Sequence, residues 1–180
     1  KLDTTQLSGL SVAQLALLST AQVVALSTSG VQGLAATSLT ALSSDQIAAF
    51  STSQVAALTT SQVKDMATKT IAALSSTQLN ALGTSQVASL TKQLVAALTT
   101  GQVAGLSTGS LKVLTTDNIA GLTNNQVKAL TSSALNALTS DQLAAISTDN
   151  VAALTTAQIG KLSTLQLSQL STDQVVALTT

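Results

Sequence analysis

At 180 residues and 45% hydrophobic, with seven Lys balanced by seven Asp, the chain has enough apolar matter for a packed core and none of the charge excess of disordered or nucleic-acid-binding sequences. Cys, His, Pro, Trp, Tyr, Arg and Glu are all missing, which removes disulfides, thiolate and imidazole metal ligands and most acid–base and nucleophile chemistry. Ser/Thr pairs interrupt the apolar residues well short of the roughly 18 needed to span a membrane, and no signal peptide precedes Lys1, so the expectation is a soluble segment.

Counted from Asp3, the chain falls into 22 consecutive octads that end at Leu178 without insertion or deletion. The units SSDQIAAF (43–50), STSQVAAL (51–58), STDNVAAL (147–154) and STDQVVAL (171–178) give the consensus [S/T]-[S/T]-x-Q-[V/I/L]-x-A-L. The fifth position is Val, Ile or Leu in every octad, and the eighth is Leu in all but three, where Phe50, Met66 and Ile146 stand. These two positions are the predicted core. The first and second positions are Ser or Thr in 18 octads each, while the third varies freely, so each unit has an inward and an outward side.

The opening octads set the element and the rest repeat it. Residues three apart point to opposite faces of a strand but share one face of a helix, so Leu15 with Leu18 and Val23 with Leu26 predict helix, as Val55 with Leu58 does farther on. One continuous helix fails, because eight residues at about 3.6 per turn overshoot two turns by about 80° and wind the apolar stripe around the axis. The Ser/Thr pair resolves this. A hydroxyl followed three residues later by Gln is the capping-box spacing, and 14 octads have Gln at the fourth position, including Gln54, Gln62, Gln78, Gln86 and Gln102. Each octad is therefore expected to restart a helix of about five or six residues after a Ser/Thr turn. The whole is read as an all-α, compact α-solenoid of 22 such units, a single domain over 1–180 cut from a longer array. Two large side chains cannot offset the ordering of eight backbones, so stability must come from stacking between turns.

From octad nine onward, the fourth position departs from Gln at Thr70, Leu94, Ser110, Ala134 and Asn150, at intervals of three and two octads, with Asn118 out of step and octads one to eight outside the pattern. That spacing predicts about 2.5 octads, roughly twenty residues, per superhelical turn; neutral substitution is the alternative, and Val12, Lys92 and Leu94 at capping positions read as drift. The glycines, Gly9, Gly30, Gly33, Gly83, Gly101, Gly105, Gly109, Gly121 and Gly160, follow no period and build no phosphate loop, so they are read as close-packing or neutral sites.

Asp45, Asp117, Asp141, Asp149 and Asp173 all occupy third positions, which raises a calcium ladder; single carboxylates fall short of the six to eight oxygens calcium wants, and Asp in a first helical turn complements the dipole. Lys1, Lys64, Lys69, Lys92, Lys112, Lys128 and Lys161 are scattered and form no basic stripe, so no nucleic-acid partner is expected. Lys64 and Asp65 are adjacent, and neighbours in a helix do not face each other.

STAQVVAL (19–26) and STDQVVAL (171–178) resemble the opening helix of transcription-activator-like effector repeats, over eight residues of a unit of about 34. The second helix, the variable loop and the basic stripe of that unit are absent, so only a capped short helix carries over. Over 3–178 the chain more broadly resembles low-complexity Ala/Ser/Thr/Gln octapeptide arrays of large bacterial secreted or surface proteins. This resemblance implies an extracellular or cell-surface, adhesin-like context and supplies no site residues.

The functional reading is thus a non-enzymatic structural or interaction module. It would act as a rigid spacer or presentation surface with a protein or cell-surface partner, self-associating through ends as apolar as the middle. No catalytic, cofactor-binding or metal-binding residue is singled out. The alternative is an ice- or surface-binding protein that uses the Ser/Thr pairs as a hydroxyl ladder, against which the capping role already accounts for those hydroxyls.

Overall fold

Each octad from Ser11 onward closes its own helix. The computed structural model describes Gln6, Leu7 and residues 9–178, and Lys1 and Asp3 lie outside the described residues. Among the described residues are twenty-one α-helices of four to six residues, one per octad. In the unit 51–58, Ser51 is extended (ψ 158°) and its hydroxyl accepts the Gln54 N–H at 3.2 Å, while the Gln54 Oε1 accepts the Ser51 N–H at 2.8 Å. The helix Thr52–Ala56 follows, and the Leu58 N–H closes on the Val55 carbonyl at 3.2 Å. A Ser or Thr hydroxyl caps 18 of the 21 helices; Ala35, Ala67 and Gly83 stand at the other three N-caps, where Gly83 keeps only the Gln86 half of the box, at 2.6 Å. No described residue has a positive φ, so the joints between helices draw on no left-handed glycine, and Gly83, Gly105, Gly121 and Gly160 at helix ends all have negative φ.

The chain divides into two compact units, Lys1–Ser89 and Leu90–Thr180, and the octad register runs through the boundary unbroken. In the first unit lie α1 (Val12–Ala16), α2 (Thr20–Val24), α3 (Thr28–Gly33), α4 (Ala36–Ala41), α5 (Ser44–Ala48), α6 (Thr52–Ala56), α7 (Thr60–Lys64), α8 (Thr68–Ala73), α9 (Ser76–Asn80) and α10 (Thr84–Ala88). In the second lie α11 (Lys92–Ala96), α12 (Thr100–Ala104), α13 (Thr108–Val113), α14 (Thr116–Ala120), α15 (Asn124–Ala129), α16 (Ser132–Ala137), α17 (Ser140–Ala144), α18 (Thr148–Ala152), α19 (Thr156–Ile159), α20 (Thr164–Ser168) and α21 (Thr172–Ala177). Within each unit every helix packs chiefly on the helix three farther along: α1 on α4 and α6 on α9 in the first, α12 on α15 and α18 on α21 in the second. This is a neighbour-on-neighbour solenoid, as the short capped repeat predicts.

The core is built from the fifth and eighth positions. Val23, Val31, Val55, Val63, Ile71, Val95, Val103, Ile119 and Val127 are fully buried, and Phe50, Leu58, Leu98 and Ile146 nearly so. The turn is longer than the substitution spacing predicts. Helices pack three octads apart, and fourth-position amides bond 28 to 31 residues back, so one turn takes between three and four octads rather than 2.5. The earlier figure fails because the gaps in the Gln row mark octads that lack an amide, whereas the turn is set by where that amide reaches.

Candidate functional site

The recurring constellation in this chain is the fourth-position amide. From Gln46 onward it is buried; Gln54 is 2% exposed. Its oxygen completes the capping box of its own helix, and its Nε2 donates backward into the previous turn, to the carbonyls of Val23 at 2.9 Å, Val24 at 3.4 Å and Leu26 at 3.0 Å. Gln62 repeats the set on Val31 and Leu34 at 2.9 and 2.6 Å. In the second unit Gln126 does so on Val95 and Leu98 at 2.8 and 2.7 Å, and Gln142 on Leu111 and Leu114 at 2.9 and 2.6 Å. One side chain thus satisfies an orphan N–H at the start of its own helix and adds a donor to carbonyls at the end of the helix four octads earlier, where the Val23 carbonyl also accepts the Leu26 N–H at 3.1 Å. Asn118 and Asn150, one carbon shorter, still reach the carbonyls of Leu90 and Leu122, each at 2.6 Å. At Thr70 the hydroxyl is too short, and its buried Oγ1 has no partner.

Sequence reasoning identified the capping box and missed the inter-turn bond. A signal was present: where the fourth position is not Gln it is Gly, Ser, Thr, Leu, Asn or Ala and never charged, which marks a buried site.

The outward face carries positions two, three and six; in 51–58 these are Thr52, Ser53 and Ala56, all exposed. First-position hydroxyls are spent on caps, whereas the hydroxyls of Thr52, Thr60, Thr84 and Thr100 are exposed and make no hydrogen bond. Asp45, Asp117, Asp141, Asp149 and Asp173 stand in first helical turns, and no three acidic side chains among the described residues come together to hold a metal. No helix among them is long and apolar enough to cross a membrane. Lys64 ends α7 and Asp65 is its C-cap. A groove of about 390 Å³ runs along Ala48, Phe50, Thr52, Leu74, Ser75 and Gln78 and brings no ionisable group to its walls.

Gly121 is a close-packing site. A Cβ there would stand 2.6 Å from the Lys92 Cγ and 2.9 Å from the Lys92 carbonyl oxygen, three octads back, whereas one at Gly101 would meet nothing nearer than 4.0 Å.

The first and last described octads differ from the middle ones. Gln14 and Gln22 keep their capping boxes, each at 2.8 Å, but are exposed, and their amides bond no carbonyl among the described residues. At the other end the fourth-position Gln166 and Gln174 are buried while the fifth-position Leu167 and Val175 are 39% and 46% exposed.

A family model for the ALTTAQ repeat matches residues 29–60, 38–68, 60–92, 95–132, 124–156 and 146–180. The chain belongs to the ALTTAQ repeat family. The six letters of that name occur at 153–158 as Ala-Leu-Thr-Thr-Ala-Gln, running from the seventh position of one octad to the fourth of the next. Each ALTTAQ match is 31 to 38 residues long, about four octads, the distance over which a Gln amide reaches back. No curated protein and no solved structure matches the chain. The ALTTAQ assignment makes this a tandem-repeat array and names no ligand, partner or compartment.

Proposed function

We propose that the chain is a non-enzymatic ALTTAQ repeat module, a spacer or presentation surface of a bacterial extracellular protein that meets protein or cell-surface partners and associates end to end. The observation that carries this reading is the division of labour within each octad. Positions four, five and eight are consumed by packing and by the amide bond to the previous turn, while positions one, two, three and six face outward, and of these the third and sixth vary most. A surface whose chemistry is free to vary over an invariant interior suits a scaffold. The absence of Cys, compatible with an oxidising compartment, and the likeness to surface-protein octapeptide arrays support the extracellular placement.

Two measurements test it. Antibody raised against the chain should label intact cells of the source organism; labelling only after permeabilisation would refute the extracellular reading. Duplicating the four octads 51–82 should lengthen the particle seen by small-angle scattering and leave it folded, and collapse into a globule of unchanged dimension would refute the spacer reading. The free second-position hydroxyls favour one competing reading, ice or surface binding. Thermal hysteresis that disappears when Thr52, Thr60, Thr68 and Thr84 are changed to Lys with the fold intact would replace the scaffold by that alternative.

A further inference from the structure

We infer that octad five, residues 35–42, is a releasable segment inside the first unit: α4 detaches on its own while the helices on either side of it stay folded.

The helices α1, α2, α3, α5 and α6 are each held at both ends by side chains. At the start, a serine hydroxyl caps every one of them: Ser11, Ser19, Ser27, Ser43 and Ser51. At the end, an amide from four octads later donates to the eighth-position carbonyl, Gln46 to Leu18, Gln54 to Leu26, Gln62 to Leu34, Gln78 to Phe50 and Gln86 to Leu58. In the middle of this run α4 has neither. Its N-cap is Ala35, which offers no hydroxyl, and its first turn closes only on backbone, the Ser38 N–H on the Ala35 carbonyl at 3.0 Å. By the same register the Leu42 carbonyl should receive its donor from octad nine, where Thr70 stands, and no described residue donates to it. Leu42 and the unpaired Thr70 are each 2% exposed, so the missing bond is a buried one and carries its full cost.

Octad nine repeats the fault, which is the second and independent observation. Ala67 stands at the N-cap of α8, and α4 and α8 are the two described helices with neither a side-chain cap nor a capping box. They lie four octads apart, the separation that the amide bond spans, so a single joint lacks a cap on each side and the bond between them. Elsewhere one loss is offset by what remains: Gly83 keeps the Gln86 oxygen at 2.6 Å, and Ala134 keeps the Thr131 hydroxyl at 3.1 Å.

What holds α4 is apolar packing, through the buried Leu39 and Leu42, against α1 and α7. Contacts in a solenoid run between neighbouring turns, so a turn stripped of its polar bonds opens at lower free energy than the unit unfolds. Release uncovers Leu39, Leu42 and the faces of α1 and α7 that they cover, and gives the first unit a preset place to yield.

Amide exchange on the 180-residue chain, followed by NMR along a series of sub-denaturing urea concentrations, reads the release directly. The Leu39 and Leu42 N–H groups occupy the same places in their octad as those of Val55 and Leu58. After correction for intrinsic rates they should exchange at least about tenfold faster, with little dependence on urea. Thr70→Gln supplies the donor to Leu42 and Ala35→Ser supplies the cap; each should slow exchange at both residues by about fivefold or more and raise its urea dependence toward that of Val55. Exchange at Leu39 and Leu42 that matches Val55 and Leu58 in rate and urea dependence would overturn the release, as would rates left unchanged by Ala35→Ser or by a folded Thr70→Gln. Should Thr70→Gln fail to fold, the unaltered chain and Ala35→Ser still decide, because neither needs room for a longer side chain at position 70.

Discussion

Gln54→Glu separates the two roles of the fourth position. Glutamate at this helical position keeps the oxygen that accepts the Ser51 N–H, and its charge suits a helix N-terminus, so the capping box survives. What disappears is the donor to Val23 at 2.9 Å and Leu26 at 3.0 Å, and a carboxylate oxygen is set facing two carbonyl oxygens at a side chain only 2% exposed. The buried Leu26 carbonyl left unpaired at about 1–3 kcal/mol, together with the burial of charge, gives a loss of roughly 2–5 kcal/mol at neutral pH, the Val23 carbonyl keeping the Leu26 N–H at 3.1 Å. The same change at Gln22, where the amide is exposed and reaches nothing, should stay within about 0.5 kcal/mol. Burial would raise the folded pKa of a glutamate at 54 above its unfolded value of about 4.3, so the folded state binds more protons. Stability of the variant therefore falls as pH rises through that window and recovers below it, where the protonated acid can donate one bond to the Leu26 carbonyl. Urea unfolding by circular dichroism at acidic and neutral pH, with amide exchange around Val23 and Val55 as a local readout, measures both effects. Equal costs at 22 and 54, or a Gln54→Glu variant that gains stability with rising pH, would refute the inter-turn role.

Thr70→Val removes a buried hydroxyl that has no partner and should raise stability by about 1 kcal/mol; a loss measured by thermal unfolding would mean the hydroxyl is satisfied. Gly121→Ala should cost about 1–3 kcal/mol because its Cβ strikes the backbone at Lys92, whereas Gly101→Ala, in open space, should be neutral or gain up to about 1 kcal/mol; similar values for both would remove the close-approach argument. Leu98→Asp buries an unpaired charge at a core position and should cost more than about 4 kcal/mol, while Gly101→Asp, on an exposed first turn, should stay within about 0.5 kcal/mol; equal melting points would mean the octad register is misassigned.

The helices were legible in the sequence because each is specified within its own eight residues: Ser51, Gln54, Val55 and Leu58 supply cap, box and core without reference to anything distant. The partner of the Gln54 amide was not, because the capping box already gives Gln a sufficient local role, and a bond to Val23 and Leu26 appears only once the chain has returned past itself. The turn length was misjudged for the same reason. Thr70, Leu94 and Ala134 record where the amide is missing, and that spacing carries no information about how far an intact amide reaches.

The fractional number of octads per turn has a consequence for how such a gene can change. Slippage that adds or removes a single eight-residue unit leaves every later octad with equivalent carbonyls to grip, because Val23, Val31, Val95 and Leu111 all offer the same acceptor to whichever amide arrives. The interior is therefore indifferent to copy number in steps of one. The exterior is not: outward side chains in the three or four octads after the event acquire different neighbours across the turn, while farther on both partners have shifted together. An ordinary length polymorphism would then redraw one turn's worth of the exposed pattern while leaving the packing intact, a means of varying what a recognising molecule encounters without altering any residue.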